Sequence, residues 1–131
     1  MVLDSSALLA ILFEEEDART YARALAASER TRMSVGTYIE AAIVADSNLG
    51  AANGRTLDEL LALFAVELTP VSESQGQLAR QAYLEFGKGN HMAALNFGDC
   101  FAYALAKELR EPLLFKGEDF AQTDIKPASP R

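Results

Sequence analysis

Short β-prone segments alternate with longer helical segments along this chain, and that order restricts the fold more than any other feature. Strands are predicted at residues 1–3, 32–35, 66–71 and 112–115, with a short fifth strand at 124–126. Helices are predicted from about residue 7, over 14–28, 38–49, 57–64 and 74–86, and from 97 to about 110. Strands separated by helices pair in parallel and are covered on both faces. The sequence therefore predicts an α/β fold, a three-layer α/β/α domain around a central, mostly parallel sheet of four to five strands.

The length and composition fit one domain over residues 1–131. The chain has 131 residues, half of them hydrophobic, which is enough for a core without metal or disulfide cross-links. Residues 126–131 carry two prolines and are predicted to form a loose tail. Within the domain, Gly36 and Thr37 are expected to cap the helix at 38–49, Gly50 to end it, and residues 51–54 to form a loop.

Composition also limits the surroundings and the partners of the chain. The longest apolar stretches, such as residues 7–13, are far shorter than the roughly 20 residues of a membrane helix, so no membrane association is expected. The N-terminus lacks the basic region of a signal peptide, and the single cysteine, Cys100, fits a reducing cytoplasm. The net charge of −7 argues against simple electrostatic adhesion to nucleic acid. A polyanionic substrate would therefore need bound cations or local basic contacts.

Four acids are predicted to meet at one edge of the sheet. Asp4 directly follows the first strand, where parallel sheets bind their ligands. Glu40 lies in the helix after the second strand, Asp99 begins the helix at 97–110, and Asp119 follows the fourth strand. Each has a structural alternative: Glu40 could complete a capping box with Thr37, Asp99 could be a helix-start acid, and Asp119 could be a loop acid.

A cluster of this kind requires protons or a cation. Two unit charges about 4 Å apart repel by about 4 kcal/mol at an effective dielectric constant of 20. Carboxylate oxygens without accompanying histidine or cysteine favour Mg²⁺, with Mn²⁺ as a substitute. Ser6 follows Asp4 closely enough to orient its carboxylate or a metal-bound water. The sequence therefore predicts a divalent cation as the partner of Asp4.

Four segments together resemble the PIN-domain ribonucleases, most closely the VapC toxins of type II toxin–antitoxin pairs. They are VLDSSAL at 2–8, YIEA at 38–41, NFGDCFA at 96–102 and LFKGEDF at 114–120, and their order and spacing cover essentially the whole chain. The resemblance implies Mg²⁺-dependent endonucleolytic cleavage of RNA, inhibition by a cognate antitoxin, and a homodimer that enters a toxin–antitoxin hetero-oligomer. By motif, the acidic site consists of Asp4, Glu40, Asp99 and Asp119, with Ser6 as its polar neighbour. Glu118 and Asp124 remain alternatives for the fourth acid.

We assign roles within this site as hypotheses. Asp4 and Asp99 are expected to bind the metal directly, whereas Glu40 and Asp119 bind through water, orient the nucleophile or complete a second metal site. The sequence leaves open whether one or two ions bind. For RNA phosphates, the candidate contacts are Lys88 and His91 in the loop GKGNH and Lys116 beside the fourth strand. A solvated connector explains that loop equally well.

Two residue patterns near Asp99 are interpreted as structural. Cys100 is expected to be a small buried hydrophobe. The stripe of Phe97, Phe101 and Leu105 is expected to be core and not a platform on which bases stack.

Other functions fit the sequence less well. A haloacid-dehalogenase-like phosphatase needs a second acid two positions after Asp4, where this chain has Ser6. A receiver domain needs an acid after the third strand, which ends in Thr69 and Pro70. A catalytically inactive PIN-like module that only binds proteins is the remaining alternative, although such modules are expected to have lost some of the acids.

Overall fold

The fold is built on a four-stranded parallel sheet. The computed structural model describes residues 1–49, 51–89 and 91–128. Its strands are β1 (Val2–Leu3), β2 (Thr31–Ser34), β3 (Val66–Thr69) and β4 (Leu113–Leu114). Their order across the sheet is β3-β2-β1-β4, and every neighbouring pair is parallel. Val2 lies in register with Arg32 on one side and with Leu113 on the other.

Helices connect the strands and cover the sheet. They are α1 (Ser5–Leu12), α2 (Ala18–Ala27), α3 (Val35–Leu49), α4 (Ala51–Leu63), α5 (Glu73–Phe86) and α6 (Phe97–Leu109), followed by a short 3₁₀ helix at Phe120–Gln122. No helix within the described ranges combines the length and the apolarity needed to cross a bilayer.

Two hydrophobic clusters lie on opposite faces of the sheet. Val2 and Leu113 belong to the cluster formed with α5 and α6, whereas Leu3 and Leu114 belong to the cluster formed with the first four helices. Neighbouring residues of a strand point to opposite faces, so both residues of each two-residue strand are fully buried. This arrangement confirms the predicted three-layer α/β/α architecture.

The predicted fifth strand at 124–126 does not form. The chain instead makes an isolated parallel bridge directly after this segment, between Leu113 and Pro127. The backbone N–H of Leu113 donates to the carbonyl of Lys126, and that of Ala128 donates to the carbonyl of Leu113. Residues 126–128 are therefore held against β4, unlike the loose tail expected from the sequence, and the rest of that tail lies outside the described residues.

The predicted boundaries of α3 and α4 are wrong. β2 leads directly into α3, so Gly36 and Thr37 are helical and do not cap it. Gly36 permits close packing, because a Cβ added there would lie 2.5 Å from the ring of Phe101 on α6. Residues 51–54 belong to α4 and are not a loop. The helix end predicted at Gly50 lies outside the described residues.

The acidic run at residues 14–17 also differs from its prediction. The sequence predicts that this run begins a helix, but α2 starts only at Ala18. Two of these acids bind Lys116, beyond the end of β4. Residues 14–17 therefore lie in the connection between the end of α1 and the start of α2.

Candidate metal-dependent active site

Asp4 lies at the carboxyl end of β1, where it caps α1. Its Oδ2 atom accepts hydrogen bonds from the backbone N–H of Ser6 at 3.1 Å and from the Ser6 hydroxyl at 2.6 Å. Its Oδ1 atom is buried and has no hydrogen-bond partner. Burial raises the pKa of Asp4 to about 6, against the hydrogen bonds from Ser6, and the charge of Glu40 raises it further. The carboxylate therefore has one oxygen fixed and the other uncompensated.

Glu40 approaches this site from α3. Its Oε1 atom accepts a hydrogen bond from the hydroxyl of Ser5 at 2.9 Å. A Cβ added to Gly98 would lie 1.8 Å from Oε2 of Glu40, so only glycine lets the start of α6 come this close. The alternative role of Glu40 in a capping box with Thr37 is wrong, because both residues lie inside α3. Glu40 thus points a carboxylate toward the first turn of α6.

Asp99 occupies the first turn of α6 and has a structural role as well. It forms a capping box with Asn96: its carboxylate accepts from the backbone N–H of Asn96 at 3.0 Å, and Asn96 Oδ1 accepts from the N–H of Asp99 at 2.9 Å. Burial raises the pKa of Asp99 to about 7, and the charges of Asp4, Asp119 and Glu40 raise it further. The helix-start interpretation of Asp99 is therefore confirmed, and the same position is compatible with its predicted role in the site, which stays a prediction.

The effect of its charge on Asp99 favours Asp119 as the fourth acid. Asp119 is exposed at the start of the 3₁₀ helix, and its side chain makes no capping hydrogen bond. It is close enough to Asp99 to raise the pKa of that carboxyl. Asp124 instead accepts hydrogen bonds from the hydroxyl of Tyr103 at 2.7 Å and from the ammonium of Lys107 at 2.6 Å. These contacts favour Asp119 over Asp124 as the fourth acid. Glu118, which directly precedes Asp119, is also exposed and remains an alternative.

The donor set fits a hard divalent cation. Buried carboxylates with raised pKa values, one of them carrying an unpartnered oxygen, make a site that lacks positive charge. No three His, Cys, Asp or Glu side chains in the described part of the chain are arranged to ligate one ion together. Mg²⁺ can bind at a site with fewer than three such side chains, because it keeps several waters and takes few protein ligands. Asp4 and Asp99 are the residues whose burial and charge best suit direct binding.

The predicted RNA contacts differ in their surroundings. The ammonium of Lys116 is already bound to the carboxylates of Glu15 and Asp17. His91 accepts a hydrogen bond from the N–H of Ala93 through Nδ1 at 2.9 Å, and its ring packs edge-on against Phe86.

Lys88 is exposed, and its backbone N–H donates to the carbonyl of Leu95. Lys88 and His91 remain predictions. Phosphate binding by Lys116 would compete with two carboxylates.

One predicted core residue is exposed. Leu105 is fully buried and Phe101 is half-buried, but 77% of Phe97 is exposed. Phe97 packs edge to face on Phe101 and lines a hollow of about 370 Å³ between α3 and α6. Cys100 is buried, as expected. The helical period identified the correct face of α6, but this chain covers only part of that face.

Sequence reasoning missed three residues that shape the site: Ser5, Asn96 and Gly98. Ser5 holds Glu40, and Asn96 holds Asp99. The spacing Asn-x-x-Asp before an apolar helix is a recognisable capping signal and could have identified Asn96. Ser5 and Gly98 carry no such signal, because their importance depends on contacts between different helices.

Comparisons with known proteins identify the family of this chain. The family model for the PIN domain matches residues 1–126. Ribonuclease VapC28 of Mycobacterium tuberculosis is 51% identical over 134 residues, which cover 100% of this chain and 99% of the relative. Ribonuclease VapC of Mycolicibacterium smegmatis is 50% identical over 125 residues, covering 95% and 97%.

Solved structures share the fold at low sequence identity. VapC20 of Mycobacterium tuberculosis, described as a sarcin-ricin loop cleaving toxin, has a TM-score of 0.78 at 12% identity and covers 95% of each chain. A chain of a toxin–antitoxin complex from Klebsiella pneumoniae has a TM-score of 0.67 at 21% identity, covering 99% of this chain and 97% of its own. This chain is a PIN-domain protein. Within that class, its similarity to full-length relatives shows that it belongs to the VapC family.

Proposed function

We propose that this chain is an Mg²⁺-dependent endoribonuclease and the toxin of a type II toxin–antitoxin pair. The observation that carries the proposal is the unpartnered, buried Oδ1 of Asp4 beside a second buried carboxyl, Asp99, whose pKa is raised to about 7. A site with this excess of negative charge binds a cation. The ribonuclease names of the relatives support RNA as the substrate.

The acids of the site and Ser6 have different roles in this proposal. Asp4 and Asp99 hold Mg²⁺, or Mn²⁺ in its place, and Glu40 and Asp119 bind through water, orient the attacking water or complete a second metal site. When bound, the metal acidifies a water and polarises the scissile phosphate. Ser6 fixes one oxygen of Asp4 and leaves the other available.

Glu40 is held in a similar way. Ser5 holds Oε1, while Oε2 lies against Gly98. Each carboxylate thus reaches the site already oriented.

The proposed partners are a cognate antitoxin and a second copy of the chain. A toxin–antitoxin complex among the structural neighbours supports the antitoxin. An apolar surface supports the homodimer: Ile39 and Ile43 on α3 are 50% and 60% exposed, and they line the same hollow as Phe97. Large exposed apolar patches mark interaction surfaces. The cytoplasmic location stays a prediction.

The dimer can be tested by sedimentation. Ile43→Asp is expected to shift the protein to monomer, because it places a charge in the apolar surface. Leu63→Asp is the matched control, since Leu63 is 73% exposed on α4, away from that hollow. A wild-type protein that sediments as a monomer would contradict the homodimer.

The activity is tested by expressing the chain with and without its antitoxin and sequencing the ends of the cleaved RNA. Cleavage should require Mg²⁺, stop when a chelator is added, and be lost in Asp4→Asn. Glu118→Gln serves as the control, because it removes an exposed acid next to Asp119 without changing the buried pair. Metal-independent cleavage, or full activity of Asp4→Asn, would refute the proposal. Complete absence of cleavage and of a Mg²⁺ effect on thermal stability would favour the inactive binding module.

A further inference from the structure

The geometry points to Lys116 as a positioning residue of the carboxylate site, held in place by Glu15 and Asp17, and not as a contact for RNA phosphates. The inference rests on the proposed function, because it names a determinant of that same site. It is carried by a chain of hydrogen bonds from the backbone of Lys116 to Asp4 and by the ion pairs that hold the Lys116 side chain.

The first link is the hydroxyl of Ser6. The backbone N–H of Lys116 donates to Ser6 Oγ at 2.9 Å, and Ser6 Oγ donates to Asp4 Oδ2 at 2.6 Å. A hydroxyl has a single hydrogen and rotates to suit its partners. Because an N–H can only donate, the amide of Lys116 makes the Ser6 oxygen its acceptor and leaves the hydroxyl hydrogen for Asp4. The amide of Lys116 thereby helps to orient the Ser6 hydroxyl, which holds Oδ2 of Asp4 together with the backbone N–H of Ser6.

The second link is the side chain of Lys116. Its ammonium contacts Glu15, in the connection between α1 and α2, and Asp17 at 3.0 Å, directly before α2. Lys116 itself lies two residues beyond β4 and is followed by Gly117 at φ +101°. The ion pairs therefore connect two segments. One is the loop between β4 and Asp119, and the other is the connection that follows α1, the helix that carries Ser6. We name Lys116, Glu15 and Asp17 the lysine latch.

The exposure of the latch separates a positioning role from a purely stabilising one. The side chains of Lys116, Glu15 and Asp17 are 37%, 39% and 36% exposed. Ion pairs this accessible to solvent add little to overall stability. Breaking the latch should thus change the melting temperature little, while a small displacement of a catalytic group can lower the rate by up to about 100-fold.

The test compares two double variants with the same change in charge. Glu15→Gln/Asp17→Asn breaks the latch. Glu14→Gln/Glu16→Gln removes two charges from the same segment, and neither residue forms an ion pair with another described residue. The measurements are kcat and KM for RNA cleavage and, in the metal-free protein, the hydrogen-exchange rate of the Lys116 amide.

We expect the latch variant to lose about tenfold in kcat with unchanged KM, and its Lys116 amide to exchange faster, because the hydrogen bond to Ser6 opens more often. Lys116→Met should show the same loss in kcat and the same faster amide exchange. Lys116→Arg keeps the positive charge, so its kcat and exchange rate should stay close to the wild-type values. The control double variant should keep the wild-type kcat and exchange rate.

Other outcomes would overturn the inference. An unchanged kcat with a lower KM would show that the freed lysine binds RNA instead. An unchanged exchange rate, or equal losses in both double variants, would exclude the latch. If the wild-type protein shows no Mg²⁺-dependent cleavage, the proposed function fails, and the exchange rates still decide whether the latch holds Ser6.

Discussion

Replacing Asp4 by Asn should make the metal-free protein more stable at pH 8 while removing its response to Mg²⁺. In the wild-type protein, Oδ2 of Asp4 accepts two hydrogen bonds from Ser6, and Oδ1 is buried without a partner. Asparagine can keep both bonds through its carbonyl oxygen. Its amide group replaces an atom that is already unpartnered, so the main difference between the two side chains is the buried charge.

The magnitude follows from the pKa of Asp4. Its value in the folded protein is about 6, against 3.8 for the unperturbed group. Each unit corresponds to about 1.4 kcal/mol, so ionised Asp4 lowers the free energy of unfolding by about 3 kcal/mol at pH 8. Because the pKa is raised on folding, this loss is complete above pH 6 and disappears as the pH falls toward 3.8. The advantage of the variant should shrink in the same interval.

The assay is urea denaturation at fixed protein concentration in a chelator, at pH 8 and at pH 4.5, followed by thermal melting with increasing Mg²⁺. The wild-type melting temperature should rise with Mg²⁺ by mass action, and that of Asp4→Asn should not. Glu118→Gln is the control for loss of an exposed charge and should behave like the wild type. Lower stability of Asp4→Asn than of the wild type at pH 8 without metal would refute the reasoning.

Three further predictions test the geometry around the acids. Gly98→Ala should lower the melting temperature and the free energy of unfolding, the latter by about 1–3 kcal/mol, and should reduce cleavage, because its Cβ would overlap Glu40. Gly76→Ala on α5 is the control: its Cβ meets nothing within 4 Å, and it should stabilise the protein by about 0.5–1 kcal/mol in the same melting assay. Asp119→Asn should lower kcat more than Glu118→Gln, and equal effects would contradict the choice of Asp119 as the fourth acid. At limiting Mg²⁺, the cleavage rate should rise between pH 6 and pH 8, because protons compete with the metal for the two buried carboxyls with pKa values of about 6 and 7. A rate independent of pH in this interval would contradict that competition.

The architecture could be predicted because alternation of strands and helices is written in local sequence. The errors arise where local signals compete with tertiary contacts. Gly36 and Thr37 have the composition of a cap, yet β2 leads directly into α3, and Gly36 serves the packing of α3 against Phe101. Phe97 has the correct helical period for a core residue but is 77% exposed. Periodicity identifies an apolar face without telling whether the same chain covers it.

The position of the candidate site was predictable to the extent that its acids lie near the ends of strands. Asp4 and Asp99 could be predicted because strand ends and the starts of the following helices meet at one edge of a parallel sheet, and because their motifs resemble those of the PIN-domain ribonucleases. The contacts that orient them could not: Lys116 binds Glu15 from 101 positions away in the sequence. The choice among three acids within residues 118–124 also required coordinates, since only their positions show that Asp124 is bound to Lys107 and that Asp119 acts on Asp99.

The central claim is that carboxylates from separate parts of the chain bind one divalent cation at the end of β1. The most direct test is a crystal structure of the chain with Mn²⁺, in which anomalous scattering locates the ion. We expect Mn²⁺ within about 2.3 Å of carboxylate oxygens of Asp4 and Asp99, with waters completing its coordination. An ion bound away from both residues, or none at concentrations that support cleavage, would contradict the account.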